Sequence, residues 1–225
     1  MSQTSQTLME MYQAALTRFG HLKWWPGETR IEICVGAILT QNTNWTNVEK
    51  ALANLKAAGK LNLPALAAMD MNDLAEMIRP AGYFNVKAKR LRNFIRHVME
   101  HHGGDLDAFL AMATSTLREE LLSINGIGRE TADSIMLYAG GKCTFVVDTY
   151  TFRILLRHRL IDTDYDYEMI KELLESNLPS DAELFNDFHA QFVSIGKSYC
   201  KPVARCEGCP LEHLPHDPNR GRDEF

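Results

Sequence analysis

The chain has 225 residues, 45% of them hydrophobic, and a formal net charge of −5. That apolar content supplies the core of one large domain or two small ones and excludes a low-complexity or disordered chain. An acidic balance does not advertise a nucleic-acid binder, although affinity depends on the face presented to phosphate rather than on the global sum. The N-terminal Met1-Ser2-Gln3-Thr4-Ser5-Gln6 shows no basic segment leading into an apolar run, so no signal peptide is expected. No apolar stretch approaches the ~20 residues a membrane span needs. Five cysteines, an odd number, point to a reducing compartment. The expected setting is the cytoplasm, with no membrane partner.

The predicted elements are helical throughout. Leu8, Met11, Tyr12, Ala15, Leu16 and Phe19 recur at helical spacing and stop at Gly20. Ile31–Leu39 is almost wholly apolar and reads as a buried helix, broken by Gln41-Asn42-Thr43-Asn44. Asn44 can cap a helix from Trp45 to Ala58, closed by Gly59. A short helix over Asp70–Ile78 ends at Arg79-Pro80-Ala81-Gly82. Lys87–His101 forms a basic amphipathic helix ending at Gly103-Gly104. Further helices are predicted over 105–113, 115–123, 129–138, 149–157, 167–176 and 181–198. The tail from His213 to Phe225, rich in Pro, Asp and Arg, is expected to be loosely ordered. The class is all-α, with short connections.

Two features carry chemistry. The first is Asn125-Gly126-Ile127-Gly128-Arg129 between two predicted helices. Two glycines there allow positive φ and close backbone approach to a ligand, and the amides opening the next helix suit a phosphate. Such a turn grips DNA without reading sequence; a plain tight connection is the other reading. The second is Asp148, twenty residues beyond Gly128 and at the end of Phe145-Val146-Val147. It can cap the helix opening at Thr149, and a carboxylate that accepts backbone amides stays ionised. Lys87, Lys89, Arg90, Arg92 and Arg96 add five positive charges, with no acid from 87 to 99. They form either a solvated face or a track for duplex phosphates.

These segments resemble the helix-hairpin-helix DNA glycosylase superfamily of endonuclease III. The hairpin, the slim helix after it with Thr131, and Val146-Val147-Asp148-Thr149-Tyr150-Thr151-Phe152-Arg153 carry the resemblance. Gly36-Ala37-Ile38-Leu39-Thr40-Gln41-Asn42-Thr43 is similar to the family's first barrel helix and to the loop whose Gln enters the duplex beside the lesion. Gly82-Tyr83-Phe84-Asn85-Val86-Lys87-Ala88-Lys89 is similar to its Gly-aromatic-Asn-X-Lys-Ala segment. Lys23-Trp24-Trp25-Pro26 is similar to the 3-methyladenine DNA glycosylase branch, where an aromatic pair lines the base pocket. Indole faces attract cationic or electron-poor alkylated purines. Trp45 adds a further ring; anchoring of the N-terminal helix is the other reading of Trp24 and Trp25.

The resemblance implies two helical lobes. Residues 30–142 form a six-helix barrel containing the hairpin, and 1–29 with 143–212 form a second lobe with a cysteine loop, ahead of a flexible tail over 213–225. It also implies base-excision repair on damaged double-stranded DNA by a monomer, an activity at the nucleoid that suits a prokaryotic cytoplasm. Asp148 is the implied catalytic group; Trp24, Trp25, Trp45 and Gln41 the base pocket; Asn125, Gly126, Ile127, Gly128, Arg129, Thr131, Lys87, Lys89 and Arg90 the DNA grip.

Three departures shape the expectation. Glu130 stands where bifunctional relatives carry a nucleophilic Lys, so a monofunctional glycosylase without lyase activity is expected. Gln191 stands where some alkyl-purine relatives place a modified lysine, which leaves oxidised pyrimidines as the second substrate class. A non-catalytic DNA-binding protein is the reading from another class. Cys200, Cys206 and Cys209 fall where many relatives hold a 4Fe–4S cluster on four cysteines, but the first gap is one residue shorter and Pro215 stands at the fourth place. The set reads as a cluster or zinc site completed by His213 or His216, or as a loop of unliganded thiols. Cys34 and Cys143 read as apolar thiols.

Overall fold

The computed structural model describes residues 2–22, 24–25 and 27–221, and among them all regular structure is helical. The chain divides into two compact units, one of Trp25–Lys142 and one of Met1–Trp24 with Cys143–Phe225. Helix α1 (Gln3–Phe19) starts earlier than its apolar stripe, because the Ser2 hydroxyl accepts the Ser5 amide and caps it.

The Trp25–Lys142 unit opens with α2 (Arg30–Leu39), capped by Thr29 and buried on most of its faces. It continues with α3 (Trp45–Ala57), capped by Asn44 as the sequence predicts. Helix α4 (Leu63–Ala68) escapes the periodicity argument because it is too short to show a repeat; the Asn62 cap and a Pro in its first turn make it. Then come α5 (Met71–Met77), α6 (Phe84–His101), α7 (Leu106–Ala111), α8 (Thr114–Ser123) and α9 (Arg129–Ser134). Helix α9 runs on as a π-helical turn over Ile135–Ala139. Helix α6 is the spine. Its apolar face buries Ala88, Leu91, Phe94, Ile95 and Val98, each large side chain contributing about 1.5–3 kcal/mol. It begins three residues ahead of the predicted start, at a left-handed Tyr83 with φ 45°.

The other unit packs α1 with α10 (Thr149–Arg157), α11 (Tyr167–Asn177) and α12 (Ala182–Ser198). Phe145 stacks edge-on against Phe185 and Phe188, with centroids 5.4 and 6.0 Å away. Its amide donates to the Glu175 carboxylate at 2.7 Å, so the chain entering α10 is held by both core and polar contacts. Gly196 lets α12 pass close to Tyr150 of α10: a Cβ there would stand 2.2 Å from Tyr150 Cδ1. The expected loose tail is partly packed. Leu214 is buried, and the Asp217 amide donates to the Arg157 carbonyl at 2.8 Å. Residues 222–225 of that tail lie outside the described residues.

Candidate functional sites

The hairpin is built by two different glycines. Gly126 has φ 98°, and a Cβ on it would lie 2.3 Å from Arg90 Cγ, so only Gly lets the Arg90 stem cross the turn. Gly128 departs from the expected pair of positive-φ glycines. It is extended at φ −94°, ψ 178°, and caps α9 without a side chain. Nothing lies within 4 Å of its would-be Cβ. The turn therefore has one glycine for internal packing and one that leaves open space at the start of α9. Asn125, Gly128, Arg129 and Glu130 are exposed, whereas Ile127 and Thr131 are buried anchors.

Side chains from α6, from α8 and from the loop after α2 hold this turn. Arg118 of α8 grips the fully buried Asp133 of α9 with two hydrogen bonds of 2.8 and 3.1 Å. Gln41, expected in the base pocket, instead donates to the Gly126 carbonyl at 3.1 Å and the Thr131 hydroxyl at 2.9 Å, while its own carbonyl accepts from Arg90. In this structure Gln41 and Arg90 are brace and strut of the hairpin. Neither role is visible in sequence, since each partner is distant along the chain.

The basic helix divides the same way. Lys87, expected on the DNA face, is 1% exposed and donates to the Leu39 and Ala81 carbonyls at 2.9 and 2.7 Å. Burial, with Arg90 nearby, pulls its ammonium down to about 8. Lys87 thus joins the end of α2 to the turn before α6 and does not face solvent. Arg92 donates to the Ala67 and Met69 carbonyls. Lys89 and Arg96 remain exposed.

Trp25 and Trp45 meet edge to face with centroids 5.0 Å apart, and Trp25 stacks on Tyr138 at 4.9 Å. Gly36 of α2 admits both indoles: a Cβ there would lie 3.3 Å from Trp25 Nε1 and from the Trp45 ring. Tyr138 was not singled out in sequence, because it reads as one more apolar helix residue. Trp24 belongs to the other unit, where the Lys197 ammonium lies 5.6 Å from its ring centroid. Lys23 and Pro26, which flank the pair, lie outside the described residues.

Asp148 caps α10. Its Oδ1 accepts the Thr151 amide at 2.7 Å and the Thr151 hydroxyl at 2.9 Å. Its Oδ2 lies 3.4 Å from His189 Nε2 on α12. Burial alone would raise the carboxyl pKa, but the charge and hydrogen bond of His189 and the two Thr151 bonds outweigh it and hold the group below its usual range. His189 is the site residue that sequence reasoning missed; no spacing signal joins it to Asp148. Gln191, one turn from Asp187, is buried and donates to the Gly20 carbonyl at 2.8 Å, a structural tie to the end of α1.

Cys200, Cys206 and Cys209 line one cavity with His158 and His216. Arg157 donates to Cys200 Sγ at 3.2 Å and to the Lys201 and Pro202 carbonyls at 2.6 and 2.7 Å. Burial pushes the Cys209 thiol up to about 11. The His216 Nδ1 position is engaged by the Leu214 carbonyl at 2.8 Å, which leaves Nε2 as its ligand atom. The three sulfurs do not stand together within 4.8 Å; among the described residues only His97, His102 and Glu120 bring three ligand atoms that close. Three thiols and an imidazole around one cavity are donors of the kind that a 4Fe–4S cluster or zinc takes. Cys34 is fully buried, as expected, whereas Cys143 is exposed.

Residues 35–180 match the HhH-GPD superfamily of base excision DNA repair proteins. A candidate DNA repair glycosylase of Methanocaldococcus jannaschii is 46% identical over 210 residues, 93% of this chain and 96% of that protein. Endonuclease III of Thermotoga maritima is 30% identical over 194 residues, 85% of each. The H. pylori 3-methyladenine DNA glycosylase, solved bound to 1,N6-ethenoadenine, aligns with a TM-score of 0.74 at 31% identity, over 86% of this chain and 97% of that one. An endonuclease III–DNA complex aligns at 0.79 with 21% identity, covering 96% of both chains, which speaks to the fold alone. No helix among the described residues is long and apolar enough to cross a membrane.

Proposed function

The chain belongs to the HhH-GPD superfamily of base excision DNA repair proteins, and from that premise we propose that it is a monofunctional N-glycosylase releasing a flipped, alkylated purine from duplex DNA. The observation that carries the reading is the Asp148 carboxylate, capped on one oxygen by Thr151 and held ionised beside His189. A purine alkylated at N3 or N7 is cationic while it is still bonded to the sugar. When its C1′–N bond breaks, the electron pair goes to the base, which leaves neutral and needs no general acid. The sugar is left as an oxocarbenium-like cation, which a nearby anion stabilises. Water then bonds to C1′ and gives its proton to Asp148, leaving an abasic site. His189 acts as a positioning residue through Asp148 Oδ2.

Glu130 supports the monofunctional reading, since a carboxylate cannot form the Schiff base that precedes strand cleavage. The indole pair Trp25 and Trp45 with Tyr138 supports an electron-poor purine. The 31% identity to a 3-methyladenine glycosylase points the same way. The proposed DNA face comprises the turn at Asn125–Arg129 with Lys89 and Arg96. The protein acts as a monomer in the cytoplasm. The three cysteines with His216 Nε2 are proposed to hold a 4Fe–4S cluster, a structural and redox-active group when bound. Anaerobic reconstitution with iron and sulfide is expected to give visible absorbance that Cys206→Ser removes.

Single-turnover base release from duplexes bearing 3-methyladenine, 7-methylguanine, thymine glycol or uracil tests the activity. Release of the methylated purines by wild type, absent in Asp148→Asn and without borohydride trapping, is the expected result. Release of thymine glycol with a trapped adduct overturns it in favour of an endonuclease III-like activity. No release from any duplex leaves a DNA-binding protein.

A further inference from the structure

His97 and His102 converge on Glu120 in the Trp25–Lys142 unit. His97 lies on the last turns of α6, His102 follows its end, and Glu120 projects from α8. The two Nε2 atoms stand 3.1 and 2.7 Å from the same oxygen, Glu120 Oε2. All three ligand atoms lie within 4.8 Å of one another. Phe109 shelters both imidazoles, with ring centroids 5.9 and 4.8 Å away. The side chains are 18%, 17% and 32% exposed, so the group is shielded yet reachable. A groove beside His97, bordered by Asn93, Arg96, His101, Ser123 and Asn125, gives water an approach.

Two imidazoles from the end of α6 and a carboxylate from α8 form the three-ligand set that zinc accepts, with water filling a fourth position. In the metal-free form each ring presents an Nε2 proton to the carboxylate. Zinc needs the Nε2 lone pairs instead, and a tautomeric shift to Nδ1 supplies them without moving a helix. Ordinary ion pairing of Glu120 with protonated histidines is the competing use of the same atoms. It leaves unexplained why two rings, and not one, are turned onto a single oxygen in a sheltered site.

We infer that His97, His102 and Glu120 form a zinc-binding site that ties the end of α6 to α8, the helix leading into the DNA-gripping hairpin. Asn93 already bonds the hairpin at the Asn125 carbonyl, 2.9 Å away. A metal one turn further along α6 extends that tie. The cysteine loop lies in the other unit and takes no part.

Cobalt is the spectroscopic probe, with zinc for competition, on the full-length protein. One equivalent of Co2+ is expected to give weak visible d–d bands without thiolate charge-transfer absorption. Zinc removes them, Cys206→Ser keeps them, and His102→Gln and Glu120→Ala each abolish them. With zinc at about a hundredfold over Kd, wild-type Tm rises by roughly 5–10 °C and that of His102→Gln stays put. Ring-nitrogen NMR of wild type supplies a readout that no variant can confound: two imidazole spin systems move on zinc addition. The inference is overturned by Kd above about 100 μM, by a purely thiolate-type cobalt spectrum, or by imidazole resonances that ignore zinc.

Discussion

The two hairpin glycines respond to the same substitution in opposite ways. Gly126→Ala puts a methyl 2.3 Å from Arg90 Cγ and 3.0 Å from its Cβ and Cδ. These atoms are the root of the side chain, so Arg90 cannot swing clear by its tip alone. The backbone at φ 98° adds about 1–2 kcal/mol of left-handed strain for a residue with a Cβ. Displacing Arg90 also costs its bond to Gln41, about 1 kcal/mol. The sum is about 2–3 kcal/mol, a fall of roughly 1–1.5 M in urea midpoint at a slope near 2 kcal/mol/M. Gly128→Ala meets nothing within 4 Å and keeps an extended backbone open to any residue. Its weaker capping is offset by a stiffer unfolded chain, so stability moves by less than about 0.5 kcal/mol. Its methyl occupies the space a phosphate would enter, so DNA affinity falls on the order of tenfold. Urea titration and fluorescence anisotropy with a short duplex measure both quantities. A stable Gly126→Ala variant, or equal destabilisation by the two, refutes the division of labour.

Four further outcomes follow from the geometry. Lys87 titrates near 8 folded and near 10.5 unfolded, so the unfolded chain binds the extra proton between those values and wild-type stability rises by about 3 kcal/mol from pH 8 to 10.5 relative to Lys87→Met; parallel denaturation profiles refute this. Gly196→Ala drives a methyl into the Tyr150 ring and is expected to lower Tm by roughly 3–10 °C, with a larger fall in base release because Asp148 sits two residues away. The depressed Asp148 pKa supplies stability above its unfolded value that is lost as pH falls through the folded one. Base release therefore keeps its rate into acid below the usual carboxylate range, and His189→Gln moves that acidic limb upward. Neutralising the exposed Lys89 and Arg96 together weakens all DNA binding alike and flattens log Kd against log salt by up to about 2, whereas Arg92→Ala acts on folding because its guanidinium bonds the Ala67 and Met69 carbonyls.

The local features were legible because short-range physics writes them. Asn44 and Asp148 cap helices from within three residues. The apolar stripes of α6 and α10 repeat at the period of the helix they form, and Gly126 and Asp148 sit inside contiguous motifs. Helix α4 was not legible: six residues carry no period, and a cap with a Pro makes the turn instead.

By itself the sequence determined an all-helical chain, a hairpin, one ionised carboxylate at a helix start, and a glutamate in place of an amine. Only the tertiary structure decided what the polar side chains do. Lys87 and Arg92 look like neighbours on a charged face, yet both end on backbone carbonyls inside the fold. Gln41 reads as a residue reaching for DNA and braces the turn. His189 carries no pattern, and packing of α12 against α10 sets it beside Asp148. The physical reason is that periodicity records which side chains are apolar. A long polar side chain can satisfy its donors in water or on a distant carbonyl, and that choice is made only when the helices pack.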